Sequence, residues 1–89
     1  MTRLEQTILK NLIYDEEYLR KVLPFIKSEY FTDNIDRIIF NEISSFTGTY
    51  NSSPTVEAVV LAIKERRNLT NDEVEKCETY LQEIAQTAQ

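Results

Sequence analysis

Apolar side chains recur along this chain at helical intervals, with no alternating run of the kind strands require. Leu4, Ile8, Leu9, Leu12 and Ile13 define a first helix. It opens on Thr2-Arg3-Leu4-Glu5, the spacing of a capping box in which Thr2 and Glu5 exchange hydrogen bonds. A second helix is expected after Asp15, with Glu16 and Glu17 in its positive first turn. Tyr18, Leu19, Val22 and Leu23 form its inward side. Pro24 has no N–H with which to continue the ladder, so the chain should bend or stop there.

Beyond the proline, Ser28 opens a short turn expected to direct Tyr30 and Phe31 inward, and Thr32 or Asp33 caps a third helix. Ile35, Ile38, Ile39, Ile43, Phe46 and Tyr50 fall in one arc at 100° per residue, the most regular periodic signal in the chain. Gly48 lies near its end. Residues 50–55 read as a loop, and Pro54 and Thr55 begin a fourth helix that turns Val56, Val59, Val60 and Ile63 inward. The fifth helix has the best specified start: Thr70 and Glu73 have capping-box spacing, and Leu69 and Val74 that of a hydrophobic staple. Val74, Cys77, Leu81, Ile84, Ala85 and Ala88 make its buried stripe.

This pattern predicts an all-α fold, a compact bundle of about five short helices, with residues 1–89 as one domain. The length suits a single domain, and at 42% hydrophobic and 28% charged the chain is too apolar for disorder. One glycine and two prolines leave little room for hairpins.

Charge and rare residues narrow the chemistry. With net charge −5, the chain is a poor candidate for gripping a phosphate backbone unaided. Its densest basic run, Lys64-Glu65-Arg66-Arg67, sits where cations complement a helix C-terminus. There is no histidine and a single cysteine, which leaves no material for a structural zinc site, a Ser-His-Asp triad or a Cys-His pair. Gly48 alone cannot build a phosphate-cradling G-x-x-x-x-G-K-[ST] loop. The carboxylates of Asp15-Glu16-Glu17 read as dipole-stabilising charges, and Cys77, on an apolar stripe, as a buried and unreactive thiol. No catalytic residues, cofactor-binding residues or metal ligands emerge. The opening residues do not form a signal peptide, and no run approaches membrane-spanning length.

Four apolar residues fall off their helix stripes. Leu9 and Ile13 lie toward the far edge of the first helix. Phe40 lies roughly 110° from the centre of its arc and Leu61 about 150° from the middle of the Val56–Ile63 face, at 100° per residue. As a set they are the candidate protein interface, because contiguous exposed apolar surface marks interaction sites.

Several segments together carry a family likeness: "EQTILKNLIYDEEYLRKVLPFI", "SEYF", "DRIIFNEI" and "YNSSPTVEAVVLAI". In order and spacing they resemble the N-terminal domain of DnaB-like replicative hexameric DNA helicases, and most closely those of tailed phages. The matching positions are Glu5, Ile8 and Leu9, then Asp15, Phe31, Arg37, Ile39 and Phe40, then Pro54 and Thr55. One departure stands out. Bacterial members often place a histidine just before the arginine, where this chain has Asp36, and this moves the likeness toward the phage branch.

The resemblance implies a non-catalytic collar tier that supports hexamer assembly and recruits primase, a helicase loader or both. Single-stranded DNA would be met only through the assembled ring. ATP and magnesium are expected only in a C-terminal ATPase domain, which lies outside this sequence together with the helical hairpin through which collars pair. The bacterial host cytoplasm is the expected location, with no membrane partner. The alternative is a free-standing small helical phage protein that regulates a replication protein.

Overall fold

Side-chain caps set the helix starts. The structure is a computed structural model that describes residues 3–87, and within that range it contains five α-helices and no strand. They are α1 (Arg3–Tyr14), α2 (Glu16–Val22), α3 (Asn34–Tyr50), α4 (Val56–Glu65) and α5 (Asn71–Thr87). Asp15 caps α2 by accepting from the Tyr18 amide at 3.0 Å. Asp33 caps α3 through the Ile35 amide at 2.8 Å, and Thr55 caps α4 through the Ala58 amide at 3.1 Å. At α5 the capping box is closed in both directions: the Glu73 amide donates to Thr70 Oγ1 at 3.1 Å, and the Thr70 amide donates to Glu73 Oε1 at 3.0 Å. These bonds satisfy donors that a helix N-terminus otherwise leaves open. The proposed cap at Thr2 and the stripe position Ala88 lie outside the described residues.

Pro24 acts as expected. The chain leaves α2 through a 3₁₀ turn at Leu23–Phe25, and a second 3₁₀ turn at Ser28–Tyr30 precedes Phe31. That second turn divides its two aromatics. Phe31 is buried, whereas Tyr30 is exposed, contrary to the expectation that both point inward. Helix α3 ends at Asn51 in the left-handed conformation, φ 56°, with its amide on the Thr47 carbonyl. Asparagine tolerates this region because its short polar side chain can bond locally. Beside that end, Arg20 of α2 donates to the Asn51 carbonyl at 2.9 Å and forms an ion pair with Glu16.

Helix α3 is the hub. It packs against α1, α4 and α5, and the Ser28–Tyr30 turn covers part of it. Its buried residues are therefore not one narrow stripe: Asp36, Ile39, Phe40, Glu42 and Ile43 are all inside, while Tyr50 at the end of the expected arc is exposed. The core joins them to Leu9, Leu12 and Ile13 of α1, Leu19 of α2, Val59 and Ile63 of α4, and Cys77, Tyr80, Leu81 and Ile84 of α5. The radius of gyration, 11.9 Å, is that of a packed chain of this length, about 12 Å.

Candidate functional site

Three of the four proposed interface residues belong to the core. Leu9 is 0%, Ile13 4% and Phe40 4% exposed, so none of them presents surface to a partner while the domain is folded. The reason lies in packing from several sides. Helix α1 meets α2, α3 and α5, so its far edge is covered as well as its centre. Phe40 packs against Phe31, with ring centroids 5.3 Å apart, and Phe31 in turn is held by Arg37, whose Nε donates to the Phe31 carbonyl at 2.7 Å. An off-stripe position on a helix covered from several directions is still inside.

Leu61 is different. It is 60% exposed, on the side of α4 that faces neither α3 nor the core. It lines an open groove of about 580 Å³ between α4 and α5, where Val56, Val60 and Ala85 provide apolar wall and Glu57, Glu78 and Gln82 a polar rim. Of the four, only Leu61 stands where a partner can touch it.

A second cleft, about 890 Å³, opens between the start of α3 and the outer face of α5. Asp33, Asp72, Glu73, Glu75 and Glu83 line it, against one ammonium, Lys76, which is itself bound to Asp72 at 3.2 Å. Asn34 ties the two helices across the cleft, its Nδ2 donating to Glu73 Oε2 at 2.8 Å. Contact with the Thr70 amide holds the Glu73 carboxyl below its ordinary range. The cleft attracts positive charge, yet among the described residues no group of three or more His, Cys, Asp or Glu side chains is arranged to hold a metal ion.

Two buried polar residues escaped the pattern reading. Glu42 is 6% exposed and pairs with Arg66 at the end of α4. Asp36 is 0% exposed, close to the equally buried Tyr80 of α5. Asp36, Ile39, Phe40 and Ile43 have spacings of zero, three, four and seven, a helical stripe with an acid in it. That spacing was the available signal, and it sets the inward direction of α3 closer to Phe40 than the isoleucine arc does.

The basic run at 64–67 is largely spent within the fold. Lys64 reaches Glu78 at 3.2 Å and Arg66 reaches Glu42, each joining α4 to another helix. Arg20 and Lys21 pair with Glu16 and Glu17 one turn earlier on α2. Cations already matched to carboxylates form no basic stripe of the kind that follows a phosphate backbone.

Residues 1–89, the whole chain, match the DnaB-like helicase N terminal domain. The chain belongs to that family. Over 80 residues it is 32% identical to a DnaB-like replicative helicase of Enterobacteria phage T4, an alignment that takes in 90% of this chain and 17% of the phage protein. The positions that carried the resemblance now have physical roles in this DnaB-type domain. Asp15 and Thr55 are helix caps, Arg37 fastens the Phe31 turn, and Leu9, Ile39 and Phe40 are core. Asp36, where this chain departs from the pattern noted in the resemblance, lies inside the domain. Among the described residues, no helix is long and apolar enough to cross a membrane.

Proposed function

We propose that this domain is the non-catalytic assembly and docking tier of a phage replicative DNA helicase. It supports hexamer formation and recruits primase or a helicase loader, while ATP and magnesium are used in a separate C-terminal ATPase domain. The observation that carries this reading is the family match along the full chain, joined to a fold whose one surviving interface candidate, Leu61, projects from an apolar groove. A match to 17% of the phage T4 helicase fits a portion that acts by contact, with the motor elsewhere. Internal pairing of Lys64 and Arg66 supports indirect engagement of single-stranded DNA, through an assembled ring.

The test is a binding comparison in the parent helicase. Leu61→Ala and Leu61→Glu should weaken hexamer assembly, or primase or loader binding, as read by light scattering and co-elution. If assembly and both partner interactions keep wild-type strength with Leu61→Glu, the docking role of this groove fails. Tight, steeply salt-dependent binding of single-stranded DNA by the isolated 89-residue chain would contradict the indirect route.

A further inference from the structure

Asp36 and Tyr80 are an unusual pair for a small core. The carboxyl is 0% and the tyrosine 3% exposed, and they lie on α3 and α5, which pack together. Neither carboxylate oxygen of Asp36 completes a well-formed hydrogen bond, and neither does the Tyr80 hydroxyl, although the two side chains lie close enough for the hydroxyl to act on the carboxyl. Buried polar groups are normally satisfied, and a buried charge without a partner normally gives way by changing its protonation state.

The surrounding charges deepen the problem. Glu5 on α1 and Asp33 at the cap of α3 are both negative and both act on Asp36. The neighbouring cation gives no direct relief, because Arg37 directs its Nε to the Phe31 carbonyl. Among the described residues, the Tyr80 hydroxyl is what favours the ionised carboxylate.

We propose that in mildly acidic solution the α3–α5 contact takes up a proton from solvent as it forms, so that the folded domain keeps Asp36 as the neutral acid beside the Tyr80 hydroxyl over a pH range where the unfolded chain has already ionised it. The proton goes to a carboxylate oxygen of Asp36 and returns to solvent when the helices separate. The electrostatics agree: burial first, then the two negative neighbours, raise the Asp36 carboxyl above its ordinary 3.8. The sign follows. A group that binds its proton more tightly when folded favours the fold at low pH. That advantage fades as pH rises from the ordinary carboxylate value to the raised one. The contact is a proton-linked fastening behind the acidic cleft that Tyr80 lines.

The decisive experiment follows the carboxyl carbon of Asp36 by NMR through a pH titration of the folded 89-residue chain. A midpoint clearly above 3.8 is expected, and a midpoint at or below it overturns the proposal. Tyr80→Phe removes the hydroxyl that favours ionisation and should move that midpoint further up; an unchanged midpoint overturns the pairing. Urea unfolding of wild type and Asp36→Asn gives an independent reading. The ratio of their folding constants should shift toward the variant by about tenfold per pH unit between the two carboxyl values, then level off. A ratio flat across that range counts against proton uptake. Failure of Asp36→Asn to fold leaves the wild-type titration to decide.

Discussion

Glu42 and Arg66 form an ion pair that closes α3 onto the end of α4, with the Glu42 side chain 7% exposed and the Arg66 side chain 39%. The asymmetry matters. Removing the arginine leaves a carboxylate in the interior with no counter-charge, whereas removing both charges leaves at most a neutral amide to solvate. Arg66→Ala should therefore cost about 2–3 kcal/mol, less than for a fully buried pair because water already reaches the guanidinium. Glu42→Gln combined with Arg66→Met should cost less than Arg66→Ala alone. Urea unfolding of Arg66→Ala and of a double-mutant cycle made of wild type, Glu42→Gln, Arg66→Met and the double variant measures both quantities, and additive single costs in the cycle would show the pair to be uncoupled.

Phe40 and Leu61 separate stability from association. Phe40→Ala removes a ring packed on Phe31 and should cost about 3–5 kcal/mol, a large part of the stability of a domain this small. Leu61→Ala removes a side chain that is mostly in water, so stability should change by about 0.5 kcal/mol or less. Its effect should appear in helicase assembly or partner binding. Thermal melts alongside sedimentation of the parent protein distinguish the two, and a Leu61→Ala domain that melts like Phe40→Ala would move Leu61 into the core.

The number, order and starting points of the helices were legible because caps act locally: Asp15, Asp33, Thr55 and the Thr70–Glu73 box each need only a few residues of context. Inward direction was legible where the periodic stripe coincides with the buried face, as α4 shows with Val56, Val59 and Ile63 and α5 with Cys77, Leu81 and Ile84. For α1 and α3, which are covered by several neighbours, the periodic stripe underestimates what is buried, and Leu9, Ile13 and Phe40 were misplaced outward for that reason. Tyr30 and Tyr50 failed in the opposite sense, since turns and helix ends carry aromatics beyond the reach of the core. Glu42, Asp36 and Tyr80 required tertiary partners to be understood. Leu61, the one candidate left exposed, lay farthest from its helix's inward face.

Cys77 offers a readout of opening. It is fully buried, and desolvation, helped by the negative charges of Glu73 and Asp33, pushes its thiol up to about 11. At pH 8 the folded domain should therefore hold the thiol protonated and shielded from a disulfide reagent. Modification should be slow, and faster in urea in proportion to the unfolded population. Arg66→Ala should accelerate it through loss of stability, and Leu61→Ala should not. Rapid labelling of wild type in native buffer would show that α5 opens locally.

Glu73 gives a pH dependence opposite in sign to that of Asp36. Its carboxyl is held below the ordinary 4.5 chiefly by the Thr70 amide, with further help from Asn34 and the Thr70 hydroxyl. A group whose folded value is depressed contributes stability above its unfolded value and loses it as pH falls through the folded one. Wild type should thus be more stable than Glu73→Gln at pH 6, and the two should converge in strong acid once both states of wild type are protonated. Because Asp36 favours the fold as pH falls while Glu73 disfavours it, the two partly cancel in the wild-type profile. Urea unfolding of Glu73→Gln and Asp36→Asn from pH 2 to 8 should separate them into slopes of opposite sign relative to wild type. A Glu73→Gln difference that is constant over that range would mean that the capping box works through its geometry alone, without the charge.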